Sequence, residues 1–149
     1  MKPIAIASDH AGFRLKEKLK SYLAKKGLII NDMGTYSEER CDYPDFAGRL
    51  ASSVSKGRFE RGVLVCKSGI VNSIVANKFP GVLAALCYNA RAAKLSREHN
   101  DSNILVLGAA FLSEAQAERI LNIWLKTGFS GGRHRRRLDL IKKIEKEIG

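Results

Sequence analysis

The run Val63-Leu-Val-Cys66-Lys-Ser-Gly-Ile-Val-Asn-Ser-Ile-Val-Ala-Asn-Lys78 places a lone thiol where an apolar segment stops and a helical pattern starts. If residues 63–65 end a strand and Ile70 opens a helix, Cys66 sits at a strand's carboxyl end, facing the free N–H groups of a helix. Open α/β sheets bind ligands at such ends, and helix N-termini attract anions and lower thiol pKa values. The layout suits a thiolate that moves a proton beside a developing oxyanion. The competing assignment for Cys66 is a small buried core residue, and Cys41 and Cys87 are given that assignment.

Other residues could serve the same chemistry. Ser8-Asp9-His10-Ala11-Gly12 ends the first apolar run and brings an acid and an imidazole to the same sheet edge as Cys66; the alternative is that Asp9 caps a helix and His10 is surface. Ser68 and Ser73 flank Gly69, where a serine can cap a helix or donate to an oxyanion. His99, in Ser96-Arg-Glu-His-Asn-Asp101, closes a helix, as a dipole partner or a catalyst. Arg133 and Arg137 share one helical face able to clamp phosphate, or form a solvated basic face.

These residues need a scaffold, and the apolar pattern supplies one. Apolar runs at 4–7, 28–30, 63–66, 82–87 and 104–107 alternate with helical patterns, as βαβ units around a parallel sheet require. Leu15, Leu19, Tyr22 and Leu23 recur at helical spacing before a stop at Gly27. Pro44 suits the first turn of a second helix, with Phe46, Leu50 and Val54 on one face. Further helices are expected over about 70–78 and 90–98, and from Ser113, where Ser113 and Gln116 form a capping-box pattern and Leu121 and Trp124 face inward. Gly131-Gly132 breaks the chain before a last helix whose stripe of Leu138, Ile141 and Ile144 suits packing on a second subunit. The longest loop, residues 34–42, has a length that suggests a role at a site.

The 149 residues, 45% hydrophobic and 28% charged, are expected to form one domain over 1–149. No apolar run approaches the roughly 20 residues a membrane helix needs, and the N-terminus leads straight into a strand, so a cytoplasmic protein is expected. Three cysteines without Cys-x-x-Cys spacing point to reduced thiols and no metal site. The net charge of +11 calls for nucleic acid, an acidic membrane face or a small anionic substrate. Much of it lies on the first helix, including Lys16, Lys18 and Lys20, and in residues 133–149.

Taken in order, Ser-Asp-His-Ala-Gly, Asp42-Tyr43-Pro44, the Cys66 to Lys78 segment, Ser-Arg-Glu-His-Asn-Asp and Gly-Gly-Arg-His resemble the ribose-5-phosphate isomerase B family across nearly the whole chain. The wider family includes allose-6-phosphate isomerase and galactose-6-phosphate isomerase subunits. The resemblance implies a three-layer, Rossmann-like α/β fold with a five-stranded parallel sheet, and a C-terminal helix packing on a partner. It implies a cofactor-free aldose–ketose isomerase acting on ribose 5-phosphate and ribulose 5-phosphate in the pentose phosphate pathway, as a homodimer or homotetramer with sites shared between subunits. Carried over by position, Cys66 is the base, with a pKa lowered by the helix N-terminus, and Ser68 stands where threonine is usual. His99 opens the sugar ring, and Asp9 and Tyr43 bind hydroxyls. Asn100 and the amides from Gly69 to Ser73 serve the enediolate. His10, Arg133 and Arg137 hold phosphate.

The chain departs from the family pattern in three places. Lys67 and Val71 replace glycines of the family's Cys-Gly-Thr-Gly-Ile-Gly loop, a strain of about 1 to 2 kcal/mol wherever positive φ is needed. Ala110 stands where the family has a phosphate-contacting arginine, and Lys67 is a candidate for the compensating charge. The alternatives are a catalytically impaired sugar-phosphate-binding relative, an isomerase of another aldose phosphate, and a nucleic-acid-binding protein using the basic C-terminus. The last lacks interleaved aromatics or a reading motif.

Overall fold

The computed structural model describes residues 2–40 and 43–149. In chain order the elements are β1 (Ile4–Ser8), α1 (Phe13–Lys25), β2 (Ile30–Asp32), α2 (Tyr43–Ser55), β3 (Gly62–Cys66), α3 (Ile70–Ala76), β4 (Ala84–Leu86), α4 (Ala90–Glu98), β5 (Ile104–Gly108), a 3-10 turn (Ala109–Phe111), α5 (Glu114–Lys126) and α6 (Arg133–Ile148). The five strands pair in parallel in the order β2-β1-β3-β5-β4.

Strands covered on both faces must be apolar at every position, and alternate residues of β1, β3 and β5 serve opposite layers. Ile4, Ile6, Val63, Val65, Leu105 and Leu107 pack against α1, α4 and α5, with Trp124 fully buried among them. Ala5, Ala7, Leu64, Ile104 and Val106 pack against α2 and α3. The expected three-layer α/β architecture is therefore present. Because the chain leaves β1 in one direction and reaches β3 in the other, the strand order reverses between these two, and their carboxyl ends flank the crevice where such sheets bind ligands.

Several boundaries differ from the apolar runs for local reasons. Leu28 does not start β2. Gly27 (φ 77) turns left-handed, Gly27 N–H donates to Ala24 O at 2.9 Å and Leu28 N–H to Leu23 O at 3.2 Å, so Leu28 completes the cap of α1. Strand β4 is shorter than 82–87 because Val82 N–H is used in a turn to Phe79 O, at 3.2 Å. Helix α3 ends at Ala76, where the Asn77 side chain leaves the helix to bond both Ala84 N–H and Ala84 O, at 2.9 and 3.1 Å. The capping box of Ser113 and Gln116 forms as expected.

Part of the positive charge on α1 is turned inward. Lys16 is fully buried and its ammonium donates to both Asp32 oxygens at 2.7 and 2.8 Å and to Thr35 O at 2.5 Å; Lys20 also reaches Asp32, at 2.8 Å. A buried cation persists only when its donors are matched, and here three are. Burial raises the Asp32 carboxyl, but bonds from Lys16, Lys20 and Gly34 N–H outweigh it and hold Asp32 below the ordinary range. These two lysines are structural charges, tying α1 to β2 and to the start of the long loop.

Gly12 sets how close α1 comes to the sheet. A Cβ there would fall on the Val65 carbonyl, which is backbone and cannot swing aside. Gly12→Ala is therefore expected to cost about 2 kcal/mol, lowering the thermal midpoint by roughly 4 to 8 °C. Gly128→Ala, in open space, serves as the control and should stay near wild type. A Gly12→Ala midpoint equal to that of the control would contradict the close approach.

Candidate active site

The crevice between β1 and β3 is built from backbone first. Asp9 N–H bonds Val65 O at 3.3 Å, extending the β1–β3 pairing one residue beyond the strand. Asp9 is buried and its Oδ1 accepts Gly12 N–H at 2.8 Å, closing the turn into α1. The helix-entry role expected as an alternative for Asp9 is thus real, although the N-cap residue itself is Gly12, which has no side chain to cap the helix. His10, half-buried, follows at the same edge.

Cys66 ends β3 opposite Gly108 and is 4% exposed. Its Sγ accepts Gly69 N–H at 3.0 Å, and the amides of Asn72 and Ser68 also act on it. The geometry agrees with the sequence reading, but the resting ionisation does not. Burial pushes the Cys66 thiol up, the amides of Gly69 and Asn72 pull it down, and the charge of Asp9 adds to the rise; the net direction is upward. Loss of water outweighs three amide dipoles, so the expected lowered pKa is corrected. Cys87, assigned to the core, is buried and pushed up to about 11.

The loop after Cys66 is shaped by two glycines. Gly69 has φ 90, and a Cβ there would strike Leu86. At Gly108, a Cβ would meet the Ser68 carbonyl, so β5 passes directly beneath the loop. Ser68 Oγ accepts Ile70 N–H at 3.2 Å, leaving its hydroxyl proton to donate. Ser73 N–H is consumed by Gly69 O at 3.0 Å, which removes it from the expected run of oxyanion donors. Lys67 and Val71 cause no strain: among the described residues the one non-glycine with positive φ is Asp101. Ala110 N–H donates to Lys67 O at 2.9 Å, so these two departures from the family pattern are neighbours.

Sequence reasoning missed Tyr88. Its hydroxyl donates to Ser68 O at 2.7 Å, and its ring lies 5.3 Å from that of Phe111. Its place just beyond β4, at the same sheet edge, was the available signal. Ser8 Oγ and Asn72 Oδ1, both buried, are without a hydrogen-bond partner among the described residues; one precedes Asp9, and the other belongs to the residue whose amide acts on Cys66.

The remaining expected site residues lie elsewhere. Helix α4 runs back from the carboxyl edge of the sheet, and His99 is its C-cap, five residues before β5 begins. The His99 ring stacks on His134 of α6, 4.2 Å between centroids and 14° between planes. His134 is pulled down by loss of water and then by its electrostatic interaction with His99, Arg133 and Arg137. Asn100, Arg133 and Arg137 are exposed around this stack. Arg97, also missed, fixes the turn: its guanidinium donates to Thr127 O at 3.1 Å and Asp101 at 3.0 Å, and also to Ser102 O. A strand of five residues spans about 17 Å, so within one chain this group and Cys66 occupy opposite edges of the sheet. Tyr43 opens α2; its side chain, with Cys41 and Asp42, lies outside the described residues.

Among the described residues, no three His, Cys, Asp or Glu side chains are grouped to hold a metal ion, and no helix is long and apolar enough to cross a membrane. The two groups of residues can now be set beside known proteins. Residues 4–141 match the family model described as Ribose/Galactose Isomerase. The chain is 41% identical over 145 residues to ribose-5-phosphate isomerase B of Escherichia coli (strain K12), covering 97% of each. Among solved structures, ribose-5-phosphate isomerase B of Clostridium thermocellum superposes with a TM-score of 0.97 at 44% identity, covering 99% of this chain and 100% of that one. The Mycoplasma genitalium enzyme, solved with bound ribulose 5-phosphate, superposes with a TM-score of 0.92 at 40% identity and 97% coverage of each. With the strand-end cysteine, the glycine-shaped loop and this likeness along nearly its full length, the chain belongs to the ribose/galactose isomerase family.

Proposed function

We propose that this protein interconverts ribose 5-phosphate and ribulose 5-phosphate through an enediolate, with Cys66 as the base. The observation that carries the reading is the buried Cys66 thiol at the β1–β3 switch point, with Gly69 N–H 3.0 Å from its sulfur. A proton carrier that moves hydrogen between adjacent carbons needs no metal, only a position beside both and donors for the charge that develops on oxygen. In this reading the Cys66 thiolate takes the proton from carbon 2, the C2–H electron pair forms the C1–C2 double bond as the carbonyl pair moves onto O1, a proton passes from O2 to O1, and the thiol, which exchanges its proton with solvent while the enediolate stands, delivers a proton to carbon 1. Such proton transfer is worth about 100 to 10,000-fold in rate. Asp9, Tyr43, Ser68 and Asn100 serve the sugar oxygens, with Ser8 Oγ and Asn72 Oδ1 adding unspent hydrogen-bonding capacity beside them. Amides at the loop stabilise the enediolate, and His99 assists ring opening.

The phosphate falls to His10 with Arg133 and Arg137, and this requires a second copy of the chain. His99, Arg133 and Arg137 cannot reach Cys66 of their own chain across the sheet, so each site takes its carboxyl-edge half from one subunit and its His99 half from another. Exposed apolar side chains support that assembly at both places: Ile70, Ile74, Tyr88 and Phe111 near Cys66, and Leu140, Ile144 and Ile148 along α6 on the side of Arg133 and Arg137. The earlier stripe is divided, since Leu138 is buried against its own chain while Ile144 remains 54% exposed.

Purified protein should exchange the carbon 2 proton of ribose 5-phosphate with solvent, and Cys66→Ala should abolish exchange without a change in circular dichroism. Absence of exchange by the wild type across pentose and hexose phosphates would overturn the reading, whereas thermal stabilisation by ribose 5-phosphate without exchange would identify a binding relative.

Shared sites make a second expectation. Cys66→Ala and His99→Ala homo-oligomers are each inactive, but unfolding and refolding an equal mixture should restore about a quarter of wild-type activity, because half of the dimers are mixed and each carries one intact site. No recovery in a mixture shown by mass spectrometry to contain mixed dimers would place the whole site in one chain.

Because the base is a thiolate and burial raises its pKa, activity must fall as pH drops through that raised value and grow as pH rises. The rising limb of kcat/KM should have its midpoint above the ordinary cysteine value of about 8.5. A plateau already reached by neutral pH would show that the thiol is acidic in the free enzyme.

A further inference from the structure

The inner face of α6 and the amino-terminal edge of the sheet enclose a cleft of about 520 Å³ that no residue of the proposed isomerase site lines. Its floor is apolar, including Phe59, Leu83 and Leu138, and its volume lies within the roughly 300–1,000 Å³ of small-molecule sites. Its walls carry four cations, Arg61, Arg97, Arg135 and Lys142, against three carboxylates, Glu60, Asp101 and Glu145.

The carboxylates are already matched. Glu60 takes Lys2 at 2.8 Å, Asp101 takes Arg97 at 3.0 Å, and both Glu145 oxygens take Gly81 N–H at 3.1 Å. Of the cations, Arg97 is paired with Asp101, and the other three are in no ion pair among the described residues. Arg135 lies over the Phe129 ring at 4.7 Å. Arg61 donates to Leu125 O at 3.0 Å and sits 5.5 Å over the Trp124 ring, with no carboxylate bonded to it among the described residues. Loss of water and then the charge of Arg97 pull Arg61 below the usual arginine range, the sign of cations crowded in a partly dry space. Lys142 stands on the facing wall, exposed and in no ion pair among the described residues.

We propose that this cleft is a second small-molecule site, which takes an anionic group, phosphate, sulfonate or carboxylate, joined to an apolar body. Arg61 and Lys142 close on the charge from opposite walls, and Phe59, Leu83 and Leu138 hold the apolar part. The site is separate from the sugar-phosphate site, because α6 turns Arg133 and Arg137 away from the cleft, and it does not depend on the isomerase reading.

Trp124, the single tryptophan, lies beneath Arg61 and so reports on the cleft directly. The probe is 8-anilinonaphthalene-1-sulfonate, followed by energy transfer from Trp124 in the intact oligomer. One probe per chain is expected, with a dissociation constant raised at least tenfold in Lys142→Glu and restored to within threefold in Lys142→Arg; both changes are at an exposed position and leave the fold intact. The neutral analogue N-phenyl-1-naphthylamine should bind at least tenfold more weakly, and saturating ribose 5-phosphate should not displace the probe. An unchanged constant in Lys142→Glu, equal binding of the neutral analogue, or displacement by ribose 5-phosphate each overturns the proposal.

Discussion

At the carboxyl end of β3 three stretches of backbone meet with room between them for hydrogen alone. Gly12 rests on the Val65 carbonyl and Gly108 on the Ser68 carbonyl, while Gly69 turns left-handed against Leu86. Everything at the crevice depends on this contact. It brings the entry of α1, the loop after Cys66 and the end of β5 into one place, and it aims the Gly69 amide at the thiol. A side chain at Gly12 or Gly108 would push apart main-chain atoms that no rotamer change can relieve.

The thiol held there shows two opposed effects of one location. Amide dipoles at the strand end favour thiolate, but the packing that aligns them also removes water, and removal of water wins. The same balance recurs at Asp32, with the opposite result. Burial raises that carboxyl as well, yet the full charges of Lys16 and Lys20 outweigh it, where neutral amides at Cys66 do not. Both lysines belong to the helix that carries much of the net charge in the sequence. Part of the +11 is thus spent inside the fold.

Parallel topology also explains why the candidate residues fall into two groups. Each crossover helix must return to the amino-terminal edge before the next strand begins, so residues at strand ends and residues at helix ends face away from one another. Asp9, Cys66, Ser68 and Tyr88 fall in the first group, and His99 and the α6 arginines in the second. Stacking of His99 on His134 fixes the second group as a unit, and Arg97 holds the turn beneath it.

The alternation of apolar runs with helical spacing determined the order of elements, because strands buried on both faces and helices buried on one leave different periods in the sequence. The Cys66 segment and Asp9 were legible for the same reason: a reactive side chain where an apolar run ends marks a strand's carboxyl edge. Local geometry defeated finer reading, as at Leu28, which caps a helix instead of starting a strand, and at Ser73, whose amide the helix itself consumes. Only the tertiary structure decided that the buried thiol is less acidic than its helix terminus suggested, that Lys16 is interior, that Lys67 and Val71 are unstrained, and that His99 lies across the sheet from Cys66. Periodicity records which residues are buried; it does not record the distances that set a charge's partners, and those depend on how separate elements pack.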